Sequence, residues 1–98
     1  MNTAHKITTQ DKYFLTVEIT DYFGVRTEQL ELFVDIGTKP TVGHYIDLFL
    51  RHYDLEVELK NIAPAMEFKI LHPKPQGIRV LKAIRLSRDW TYKPITKL

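Results

Sequence analysis

The sequence predicts an α+β fold in which one amphipathic helix packs across one face of an open β-sheet. Three observations lead there. Apolar side chains alternate with polar ones in several separate stretches, the period of a half-buried strand. One stretch, beginning at Val42, changes instead to the i, i+3, i+4 spacing of a helix. A single helical stripe covers only one side of a sheet, so the charged side is left to water.

Taken in order, residues 1–11 are polar and read as a flexible N-terminal segment. From Tyr13 the alternation begins, with Tyr13, Leu15, Val17 and Ile19 on one side and Phe14, Thr16, Glu18 and Thr20 on the other. "DYFG" reads as a turn in which Gly24 can take a positive φ. A second run follows, with Leu30, Leu32, Val34 and Ile36 facing in, and Gln29, Glu31 and Asp35 facing out beside Phe33. The two runs should pair as a hairpin. After "GTKP", Thr41 is placed to cap a helix whose stripe is Val42, Tyr45, Ile46, Phe49, Leu50 and Tyr53, with His44, Asp47 and Arg51 opposite. Leu55, Val57 and Leu59, then Met66, Phe68 and Ile70, restore the strand period across a short loop. "HPKPQG" interrupts the ladder, since proline donates no N–H.

"GIRVLKAIRLSRDW" is the ambiguous stretch, because Arg79, Lys82, Arg85 and Arg88 recur every three residues. On a helix its apolar residues nearly encircle the axis. On a strand, Ile78, Val80, Ile84 and Leu86 share a face, with Lys82 intruding and Leu81 misplaced. The β-branched content after a Pro/Gly loop favours the strand, and a bulge near Leu81–Lys82 would repair both exceptions.

Strand, strand, helix and three strands resemble the β-grasp arrangement of ubiquitin-like domains, in element order. A small OB-like or SH3-like barrel with one helix is the alternative. The domain should span 12–89, followed by a basic and aromatic tail at 90–98.

At 98 residues there is room for one domain, and 44% hydrophobic content is enough for a core. The absence of cysteine excludes disulfides, thiolate zinc sites and cysteine nucleophiles. No stretch approaches the roughly 20 apolar residues of a membrane span, and the first residues lack the apolar core of a signal peptide, so a cytoplasmic protein is expected. The net charge of +2 is unevenly spread: residues 1–62 hold six Lys/Arg against ten Asp/Glu, and residues 63–98 hold eight against two.

Catalytic chemistry has little to rest on. His5, His44, His52 and His72 belong to no metal motif, and His44 with Asp47 on an exposed helix face is ordinary surface decoration. The four isolated glycines build no phosphate nest. The chain closes on "YKPITKL" without the glycine pair that carrier chemistry requires. No cofactor, metal or catalytic residue is expected.

Two surfaces remain. Tyr22, Phe23, Phe33, Trp90 and Tyr92 are large aromatics outside the expected core, a composition suited to a protein interface. Arg79, Lys82, Arg85, Arg88 and Lys93 could neutralise phosphates with Trp90 stacking on a base. The glutamates on the same sheet face oppose a broad nucleic-acid footprint. The expectation is a non-catalytic interaction module or accessory subunit with a protein partner, compatible with a homo-oligomer; the alternative is a small DNA- or RNA-binding regulator.

Overall fold

The computed structural model describes residues 10–92. Its elements are β1 (Gln10–Asp21), β2 (Gly24–Asp35), α1 (Val42–Tyr53), β3 (Val57–Asn61), β4 (Met66–Ile70) and β5 (Ile78–Arg88). The strands form one open sheet in the order β2-β1-β5-β4-β3, and every neighbouring pair is antiparallel. The α+β class and the single helix are as expected. The β-grasp ordering is not confirmed, and no barrel closes, because β2 and β3 end the sheet as separate edges. No helix among the described residues is long and apolar enough to cross a membrane.

The helix starts where Thr41 leaves extended backbone, φ −124° and ψ 173°. His44 Nδ1 accepts the Thr41 backbone N–H at 2.9 Å, satisfying a donor that the helix itself leaves unpaired. The helix ends at Asp54, which takes the left-handed conformation at φ 58° and donates its N–H to the Leu50 carbonyl. Its buried face is Tyr45, Leu48 and Phe49. The stripe is therefore rotated from the expected one: Leu48 lies inside, and Leu50, about 100° further round than Phe49, is exposed. Phe49 and Phe68 are both wholly buried, their rings edge to face at 5.1 Å, and Tyr45 meets Phe68 at 6.4 Å. That aromatic cluster joins the helix to β4, and the long hairpin adds Leu15, Val17, Ile19, Leu30, Leu32 and Val34 to the same core.

Two local corrections matter for function. β1 begins at Gln10, inside the segment expected to be flexible, and Asp11 is buried. Asp11 has the same parity as Tyr13 and Leu15, so it points to the core side, where Arg88 bonds it at 2.9 Å and the Gly37 N–H at 3.3 Å. Residues 78–88 do form a strand, and a central one, but with irregularities elsewhere than at Leu81–Lys82. The register runs Thr20↔Val80, Ile19↔Leu81, Glu18↔Lys82 and Val17↔Ala83, then skips Ile84 to Thr16↔Arg85. Arg79 is skipped likewise between Val80 and Ile78. Directly opposed residues share a face, so Leu81 lies in the core, Val80 and Lys82 face out, and Ile84 occupies a bulge. One extra residue reverses the phase of all that follow.

Candidate functional site

The aromatic residues expected at an interface fall into two groups at opposite ends of the hairpin. Phe23 and Phe33 are separated by ten residues of strand, about 33 Å at the strand rise.

At the turn, Tyr22 and Phe23 form the two-residue connection between the paired residues Asp21 and Gly24. Gly24 sits at φ 135°, a conformation that side chains rarely tolerate. The two rings stack edge to face at 5.2 Å and remain 59% and 78% exposed. A chain of polar contacts holds this turn to the helix. Tyr53 donates its hydroxyl to Glu28 at 2.6 Å, and Glu28 also accepts from Arg26 at 3.4 Å. Arg26 reaches Asp21 at 2.6 Å, and Asp21 accepts the Phe23 N–H at 2.8 Å. The Tyr53 hydroxyl and Arg26 hold the Glu28 carboxyl below the usual carboxylate range. Arg26 and the Phe23 N–H do the same for Asp21. Burial, then Glu28, pushes the Tyr53 phenol up. The turn thus presents two bare rings on a backbone fixed from below.

At the other end the tail folds back. The Asp89 N–H bonds the Lys12 carbonyl at 2.9 Å, adding one rung to the ladder beyond Arg88. Asp89 then accepts from the Thr91 hydroxyl at 2.6 Å and its N–H at 3.0 Å, and Tyr92 N–H closes the turn on the Asp89 carbonyl. This carries Tyr92 onto Phe33, edge to face at 5.7 Å. Lys12 bridges Glu31 at 3.0 Å and Asp89 at 3.3 Å, with its ammonium 4.9 Å from the Phe14 ring. The Glu31 contact leads in raising the Lys12 pKa, and the Thr91 hydroxyl leads in lowering that of Asp89. Trp90 is 73% exposed and stacks on the Arg88 guanidinium at 4.4 Å.

The basic residues do not make one patch. Lys82 lies 3.9 Å from Glu18, and Arg88 is committed to Asp11. Arg79 and Arg85 are exposed and have no ion pair among the described residues. Arg79 lines an open cleft of about 510 Å³ with Ile70, Pro73, Lys74 and Pro75. Lys93 lies outside the described residues. His44 caps the helix and makes no ion pair with Asp47, and no cluster of three metal-ligating side chains occurs among the described residues.

Sequence reasoning missed Asp11 and the Asp21–Arg26–Glu28–Tyr53 chain. Asp11 had a legible signal, since a carboxylate in phase with Tyr13, Leu15 and Val17 must find a cation. The polar chain had none, because it joins β2 to a helix end 25 residues away in sequence. Comparisons with protein-family models, curated proteins and solved structures returned no match to this chain.

Proposed function

We propose that this chain is a non-catalytic protein-interaction module, an accessory subunit that docks a protein partner through Tyr22 and Phe23. The observation that carries it is the turn itself: two large exposed rings on a backbone tied to the helix by four successive polar contacts. Rings of that kind bury area on binding with little loss of conformational freedom, and the tethered backbone lowers the ordering cost further. Trp90, stacked on Arg88, and the Phe33–Tyr92 pair lie about a hairpin's length away, at the partly covered end. A cytoplasmic setting and self-association are compatible parts of the same proposal.

The test compares wild type with the double variant Tyr22→Ser, Phe23→Ser by affinity capture from nuclease-treated and untreated extract. A partner should survive nuclease with wild type and be lost with the variant, while the two proteins melt alike. Equal capture by both would remove the turn from the interface. The nucleic-acid alternative draws support from Arg79 and Arg85, whose charges no carboxylate among the described residues offsets. It requires capture that disappears with nuclease and affinity that falls steeply with salt.

A further inference from the structure

β5 is a central strand for only part of its length. On one side β1 accompanies it as far as Arg88, and Asp89 adds a further rung. On the other side the ladder with β4 ends at Met66↔Ala83. Pro64, which has no N–H to donate, lies in the loop just before Met66, and the segment there leaves the sheet. From Ile84 to Arg88 the strand therefore has one flank with no strand neighbour among the described residues. Such a flank offers backbone donors and acceptors to an added strand.

The side chains around this gap say what kind of strand. Ile84 and Leu86 are 43% and 36% exposed. Beside them lies a cavity of about 180 Å³ lined by Leu15, Tyr45, Met66, Ile84, Arg85 and Leu86. Leu86 is opposite Leu15 and faces the core side, whereas Arg85 is opposite Thr16 and faces the outer side. An incoming strand alternates its side chains in the same way. Its core-side residue meets the apolar cavity and its outer-side neighbours meet Arg85, which has no carboxylate partner among the described residues. Residues 84–88 include two arginines and no acid. Arg88 is held by Asp11, so the uncompensated charge of the flank among the described residues is Arg85, and a second copy of the strand brings a like charge to it, which disfavours self-pairing.

We infer that the open flank of Ile84–Arg88 accepts an extended segment of a partner protein in which an aliphatic residue is flanked by acidic ones, adding a strand in line with β4. This rests on the interaction-module proposal but uses a different surface from the turn.

The experiment titrates a short synthetic peptide alternating glutamate with leucine or valine into the isotope-labelled full chain. A lysine-for-glutamate peptide and a single-stranded oligonucleotide run in parallel. The acidic peptide should shift the amides of Ile84 to Arg88 and slow their exchange. Arg85→Glu, at an exposed position, should weaken that binding roughly tenfold or more and transfer preference to the lysine peptide. Silent amides at 84–88, shifts confined to the β2 edge, a response to the oligonucleotide alone, or β5 amides already protected in a self-associated chain would each overturn the inference. The turn variant should bind the peptide as wild type does. If it also keeps its partner, the turn assignment fails and the strand-addition site stands. If the peptide fails while the turn variant loses its partner, the reverse holds.

Discussion

At the closed end of the hairpin Tyr22 and Phe23 stack on one another and stay open to solvent, whereas at the other end Phe33 is met by Tyr92 and Phe14 by the Lys12 ammonium. The four belong to the same two-strand unit and were equally unexplained by strand alternation. What separates them is whether another part of the chain arrives to cover them. After Arg88 the backbone continues one rung along β1, and its Asp89 turn brings Tyr92 to Phe33. Among the described residues nothing comparable reaches the turn, where the polar contacts hold the backbone and leave the rings bare. Phe33 is left 37% exposed by this contact, against 59% and 78% for Tyr22 and Phe23.

That contrast can be broken most directly at Asp11, which anchors the covered end. Asp11→Ala strands the Arg88 guanidinium and frees the Gly37 N–H, so it should cost about 1.5–3 kcal/mol, the range for hydrogen bonds to charged groups. A fall in the urea midpoint with an unchanged slope would register it, and an unchanged midpoint would mean the anchor contributes nothing. Next is the ring pair of the tail. A double-mutant cycle on Phe33→Ala and Tyr92→Ala should show a coupling of about 0.5–1.5 kcal/mol, the usual range for aromatic pairs. Zero coupling would make the tail an incidental neighbour.

Acid should loosen both ends in a smaller, graded way. Asp21 and Glu28 at the turn, and Asp89 at the tail, are held below their ordinary pKa values. Groups lowered by folding contribute stability above about pH 4 and lose it as pH falls through the folded-state pKa. The melting temperature should therefore decline below that point, and Glu28→Gln should flatten the decline. A slope identical to wild type would show that Glu28 is not among the linked groups. Smallest of all is the effect of Tyr22→Ser with Phe23→Ser on folding, expected within about 0.5 kcal/mol as for ordinary surface changes. A larger loss would mean that the rings stabilise the hairpin and are not spare for a partner.

Much of the candidate surface was readable in one dimension. Tyr22 and Phe23 flanked by Asp21 and Gly24 announce an exposed turn, because a two-residue connection has no room to bury its own side chains. Phe33 and Tyr92 could not be read as a pair, since 59 residues separate them and only the turn at Asp89 brings them together. The ion-pair partners of the basic run were hidden for a related reason. Its spacing in the chain is regular, but Lys82 and Arg88 find carboxylates on β1 that the spacing does not reveal.

Local pattern determined the strands of period two, the helix that starts at Thr41 and the turn before Gly24, because these follow from backbone geometry and from which neighbours a residue has within one turn or two pleats. Strand identity for residues 78–88 came from the same source. Tertiary structure alone decided the sheet order β2-β1-β5-β4-β3, the bulge at Ile84, and the open flank that follows it. Alternation tells which side chains share a face but not which strand lies alongside, and a single skipped residue exchanges the faces of everything beyond it. Those choices depend on pairings between segments far apart in sequence, settled only when the whole core closes.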